Sequence, residues 1–252
     1  MSTQALDSGP RNSAGRSASA NEGEPPATRL GGYAMVLMGA LYIILLVYSL
    51  VTPPEQRYGA GEFLKYFSRD RVPLTVAWSM ICLTSILGFV FVPAVYDLLK
   101  RHVHGRDMRE LFRAVTVYGL VGYGFLAVSF LTLFARAPGM AQAYVTGSQT
   151  TKDAMEAIGL PELDPNGWIV FGGVATWVIV STIIAVRAGL INKVVAGFGF
   201  LWGIGFWATV FADATSFEPL NLFAATASAI SAPVWGIALG RQLIKAAPRD
   251  TA

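Results

Sequence analysis

The chain has one cysteine, Cys82, placed inside an apolar run, which excludes an internal disulfide and a zinc site built from thiolates. It has two histidines, His102 and His104, and only 14% charged residues, where a soluble domain carries about a quarter. Nowhere does it contain G-x-S-x-G, H-E-x-x-H or G-x-x-x-x-G-K-[ST], so hydrolytic and nucleotide-driven chemistry are disfavoured. The centres of its apolar runs hold no charge: Asp97, Arg187 and Asp213 all fall near run ends, where a charged group stays solvated at little cost. That pattern disfavours an ion pump or a proton-coupled transporter.

What the chain does have is apolar length. Of its 252 residues 54% are hydrophobic, and the mean hydropathy is +0.50. The apolar residues gather into runs of roughly 20, which a helix needs to cross a hydrocarbon core about 30 Å thick. Six such runs stand at about Gly31 to Val51, Leu74 to Leu98, Ala114 to Ala135, Trp168 to Ala188, Val194 to Asp213 and Leu220 to Leu239. The expected fold is therefore all-α, an integral membrane bundle of about six transmembrane helices. Residues 1–28 are rich in Ser, Ala, Gly, Pro and Glu and lack an apolar core, so they predict a disordered tail with no cleavable signal. The bundle is expected over 29–245 and a short basic tail over 246–252.

The formal charge of +3 and pI near 9.1 are explained by topology rather than by nucleic acid. With the N-terminus inside, the cytoplasmic segments hold more than twice as many Lys and Arg as the other side. The most basic connection runs from Lys100 to Arg113. This bias predicts both termini in the cytoplasm.

Two amphipathic stretches interrupt the apolar runs. From Gly59 to Arg71, Phe63, Tyr66 and Phe67 fall at i, i+3 and i+4, which suits a short interfacial helix or a loop packed on helix ends. The longest connection, Arg136 to Gly167, is expected to be partly ordered, with a short helix from Thr151 to Ile158. Pro93 and Pro233 should each bend the span that contains them.

Four sets of residues carry candidate functions. His102 and His104, with Asp97, Asp107 and Glu110 nearby, form a weak metal-binding pattern, since imidazoles two apart align only on an extended segment; a solvated basic loop is the simpler reading, and no metal is assigned. A membrane enzyme would rest on Asp97, His102 and His104 alone. Glu156, Glu162, Asp164, Asp213 and Glu218 could gather as an outer acidic rim, or serve as ordinary caps and loop residues. Trp78, Trp177, Trp202, Trp207 and Trp235, with Tyr42 and Tyr123, could line an apolar pocket for a lipid, quinone or pigment, or fill gaps between helices; Trp168 reads as an interface anchor.

The most specific pattern is the spacing of small residues. Ala224, Ser228, Ala232, Gly236 and Gly240 recur every fourth position in the last run, and Gly199 and Gly203 do so in the run before it. Residues four apart share a helix face, and small ones let two backbones approach closely in a bilayer. This is a helix-packing code. It predicts that the last span packs on the fifth, with an intermolecular dimer as the alternative.

The turn Arg187-Ala-Gly-Leu-Ile-Asn-Lys193 between the fourth and fifth runs, and the closing Ala232-Pro-Val-Trp-Gly-Ile-Ala-Leu-Gly240, resemble segments of bacterial multi-pass membrane proteins grouped as a domain of unknown function. In that family an R-[SA]-G turn joins two late spans and the last span carries a tryptophan; Asn192 stands where the family usually has proline. The resemblance implies a helical bundle and no established activity. The expected protein is thus a multi-pass component of a bacterial cytoplasmic membrane, structural or accessory and without cofactor. Its partners would be the bilayer and another membrane protein or a second copy; the alternative is a transporter or binder of a small lipophilic molecule.

Overall fold

A computed structural model describes residues 27–51, 59–160, 163–215 and 217–247. The expected N-terminal tail up to residue 26, Glu162, and the last five residues lie outside the described set. Among the described residues there is no strand, and the fold is all-α. The described residues form eight α-helices in order: α1 (Ala27–Val51), α2 (Gly59–Arg69), α3 (Val72–Leu99), α4 (Arg106–Thr146), α5 (Gln149–Ile158), α6 (Val170–Arg187), α7 (Lys193–Thr215) and α8 (Glu218–Ala246). Six of them, all but α2 and α5, are long and apolar enough to cross a membrane.

The six spans close into a ring. Each packs beside its neighbour in the order α1, α3, α4, α6, α7, α8, and α8 returns to α1. In lipid there is little hydrophobic gain from joining two helices, so close backbone approach and shape fit decide which faces meet. The α1–α8 closure illustrates this: a β-carbon on Gly32 would lie 2.7 Å from the Gly240 carbonyl oxygen, and one on Gly240 would lie 2.9 Å from that of Gly32. Backbone meets backbone there, and only glycine fits on both sides.

The small-residue stripe of α8 therefore serves two partners. Ala224 and Ser228 face α7, where a β-carbon on Gly205 would stand 2.6 Å from Ser228 Oγ and 3.1 Å from the Ala224 carbonyl oxygen. Gly236 and Gly240 face α1, where a β-carbon on Gly236 would stand 2.5 Å from Met38 Cε and one on Gly240 would meet Gly32. Ala232 is fully buried between these two stretches. On α7, Gly203 turns to α6, against Ile179 and the Ala175 carbonyl. The last span packs on the fifth, as expected, and on the first as well. The reason is the drift of about 40° per four-residue step, which carries the stripe from one neighbour to the next along the helix.

Helix α4 is longer than the expected third span at both ends. Its 41 residues correspond to about 61 Å, twice the thickness of a hydrocarbon core. It begins in the basic segment at Arg106, after a turn in which Gly105 takes φ +85°. It then continues through Pro138 to Thr146, where a connection was expected. A proline inside a helix removes one backbone bond. Here the extended part is held by packing: Ala137, Ala141 and Tyr144 are buried against Phe63, Leu64 and Phe67 of α2 and Leu74 and Trp78 of α3.

Helix α2 is thus an amphipathic helix whose apolar face lies on protein. Phe63, Phe67 and Trp78 stack with ring centroids 5.4 to 6.2 Å apart. On its polar face Lys65 pairs with Glu62 at 2.6 Å. Helix α5 is capped by Ser148, whose hydroxyl accepts the Thr151 N–H at 3.3 Å. It is tied back by the Tyr144 hydroxyl, which donates to Glu156 beside Gly61. By connectivity, α2, α5 and the end of α4 share one end of the bundle, and Arg29, Lys193 and Lys245 lie at the other.

Candidate functional site

The centre of the ring is filled by aromatic rings, one from each span. They are Tyr42 (α1), Phe91 (α3), Tyr123 (α4), Trp177 (α6), Trp202 (α7) and Trp235 (α8). Tyr42 meets Trp202 at 6.0 Å, Trp202 meets Trp235 at 5.4 Å, Trp235 meets Trp177 at 5.8 Å, and Trp177 meets both Phe91 and Tyr123 at 5.9 and 6.2 Å. Phe91 and Tyr123 close the chain at 5.2 Å. Most of these contacts are edge-to-face, the geometry the ring quadrupole favours, and each contributes about 0.5–1.5 kcal/mol beyond its buried area. The three indoles and Phe91 have no exposed surface.

Three of the six rings are admitted by a glycine on a neighbouring helix. A β-carbon on Gly119 of α4 would lie 2.6 Å from Trp177 Cβ and 2.8 Å from its Cγ. One on Gly88 of α3 would lie 2.5 Å from Tyr123 Cγ, and one on Gly199 of α7 would lie 2.5 Å from Trp235 Cδ1. Ring into glycine notch is the recurrent device by which this bundle closes at its middle. It accounts for glycines in the sequence that a stripe on one helix does not.

The core is dry of partners for its own polar atoms. The indole nitrogens of Trp177, Trp202 and Trp235 and the hydroxyl of Tyr123 are buried without a hydrogen-bond partner, as are Ser181 Oγ and Ser228 Oγ. The neighbouring hydroxyls that are bonded turn back on their own helices: Thr182 donates to the Val178 carbonyl at 2.7 Å, and Ser231 donates to that of Ala227. A buried donor left unpaired costs about 1–3 kcal/mol, so this concentration of them at one place marks the centre of the ring as the candidate site.

The other residues singled out from sequence fall elsewhere. Trp78 belongs to the α2 cluster, while Trp207 sits with Trp168 and Phe211 at ring distances of 5.7 and 6.2 Å; the aromatic set is thereby split into three groups. His102 ends a short 3-10 turn after α3, and His104 follows it; both are exposed, and among the described residues no group of His, Cys, Asp and Glu is placed to hold a metal. Asp97 pairs with Lys100 at 2.7 Å. Of the acidic residues, Glu156 is engaged by Tyr144, and the Asp164 carboxylate accepts the N–H groups of Ile169 and Val170 at 2.6 and 2.8 Å, capping the start of α6. Asp213 is exposed near the end of α7.

Sequence reasoning missed Phe91 and Gly88. Phe91 is one of four successive phenylalanines and valines, Phe89 to Val92, in a run without periodic contrast, and Gly88 stands alone in its span. The signal that could have found them is the pairing of an isolated glycine with an isolated large aromatic on the neighbouring span. Fold and site together define a multi-pass α-helical membrane protein with a sealed aromatic centre. Comparison with protein-family models, with curated proteins and with solved structures returns no match.

Proposed function

We propose that this protein is a non-enzymatic structural or accessory component of a bacterial cytoplasmic membrane, with both termini inside. The observation that carries the reading is the filled centre: six rings, one from each span, occupy the axis along which a transporter would place its solute path. The basic residues at the end bearing both termini support the orientation. The R-[SA]-G turn and the tryptophan of the last span support kinship with bacterial multi-pass proteins of unknown function. A component of this kind acts through its outer surface, on another membrane protein or a second copy.

The test is aqueous accessibility. In a Cys82→Ser background, Ser181→Cys and Ser228→Cys place a thiol one turn beyond Trp177 and two turns before Trp235. Neither should react with a membrane-impermeant maleimide until the protein is unfolded. Labelling of either in native membranes would reveal a water-filled path and overturn the reading. The unpartnered donors favour a second reading, in which the aromatic centre binds a small lipophilic molecule that arrives from the bilayer.

A further inference from the structure

We infer that the centre of the ring is a binding site for a flat, lipid-soluble molecule whose polar atoms are carbonyl oxygens, of the quinone class; the inference rests on the second reading above and names its ligand. An indole N–H can donate and cannot accept, so Trp177, Trp202 and Trp235 cannot satisfy one another. A helix carbonyl can take a second donor, but near the indoles those of Val178 and Ala227 take the hydroxyls of Thr182 and Ser231, and among the described residues no carbonyl lies within hydrogen-bond reach of an indole N–H. Three indole donors therefore lie without an acceptor within reach, and a ligand that supplies an acceptor oxygen resolves them.

A carbonyl oxygen has two lone pairs and can take two of these donors at once. The surroundings select for the rest of the ligand. Indole, phenol and phenyl rings at 5.2 to 6.2 Å from one another present faces and edges that suit a flat conjugated ring and offer nothing to a charged or donor-rich solute. Room is made by side chains that repack at low cost. Met35 and Met38 of α1 are fully buried in the same cluster, and Met38 Cε lies in the notch at Gly236. Unbranched thioethers fill irregular gaps and yield them readily.

The test compares two probes of the same shape on the full-length purified protein. Duroquinone carries two carbonyl oxygens and has no free ring position at which Cys82 could add; durene is its hydrocarbon counterpart. Duroquinone should raise the thermal midpoint saturably while durene does not. Replacing Trp202 and Trp235 with phenylalanine keeps the rings and removes two donors, and should weaken duroquinone binding by about tenfold or more, the loss expected for hydrogen bonds of about 1.4 kcal/mol in total. If durene binds as well as duroquinone, the carbonyl selectivity is wrong and the lipophile reading stands. If neither binds, both fall, and the donors belong to trapped water. Phenylalanine variants that bind duroquinone as tightly as the parent would also overturn the inference. Should those variants fail to fold, the two-probe comparison on the parent protein decides alone.

Discussion

Gly119→Ala puts the ring-and-notch packing to a quantitative test, because Gly197→Ala supplies a matched control on the same bundle. Both glycines lie within long helices, α4 and α7. Alanine in a helix interior is favoured over glycine by about 0.8–1 kcal/mol, since glycine loses more backbone freedom on folding. At Gly197 nothing lies within 4 Å of an added β-carbon, so only that gain applies. At Gly119 the β-carbon would stand 2.6 Å from Trp177 Cβ and 2.8 Å from its Cγ, the rigid root of the side chain rather than a mobile end. Trp177 cannot turn away, because Phe91, Tyr123 and Trp235 surround its ring at 5.8 to 6.2 Å. Helix α6 must shift from α4, at an overpacking cost of about 1–3 kcal/mol. The net expectation is a loss of up to about 2 kcal/mol for Gly119→Ala and a gain of up to about 1 kcal/mol for Gly197→Ala. Reversible unfolding in mixed micelles, followed by far-UV circular dichroism, reads both. Equal stabilities for the two variants, or a Gly119→Ala protein more stable than the parent, would refute the notch.

Further expectations follow from other contacts. Trp235→Ala empties the middle of the aromatic chain and should cost about 3–5 kcal/mol in the same unfolding assay, against little for Trp207→Phe, which keeps a ring beside Trp168 and Phe211. Asp164→Ala removes the acceptor for the Ile169 and Val170 N–H groups and should cost about 1–2 kcal/mol, with faster amide exchange confined to the first turn of α6. Tyr144→Phe releases Glu156 and should speed proteolysis of α5 while leaving the unfolding of the six spans unchanged.

The six spans were legible because crossing a bilayer demands a minimum apolar length, and length survives without any knowledge of tertiary contacts. The continuation of α4 was not. Pro138 reads locally as a stop, and only the face formed by Ala137, Ala141 and Tyr144, covered by α2, shows why the helix goes on. The stripe from Ala224 to Gly240 announced close packing, yet period alone cannot name a partner: Ser228 meets α7 and Gly240 meets α1, and the sequence of α8 is the same either way. The aromatic centre was half visible. Trp177, Trp202, Trp235, Tyr42 and Tyr123 could be picked out as large rings in apolar runs, but the same description fits Trp78 and Trp207, which lie elsewhere. What separates them is the height and rotation of each span in the ring, set by notches such as Gly88 and Gly199 that act on a neighbouring helix.

The central claim is a ring closed by the first and last spans within one chain. A disulfide tests it directly, since it forms only where β-carbons come within about 3.5–4.5 Å. A β-carbon on Gly39 of α1 would lie 2.7 Å from Ile237 Cγ1 of α8. With Cys82→Ser, the pair Gly39→Cys and Ile237→Cys should oxidise in native membranes to a monomer of altered mobility on a non-reducing gel. No cross-link, or one that joins two chains, would contradict the closed ring.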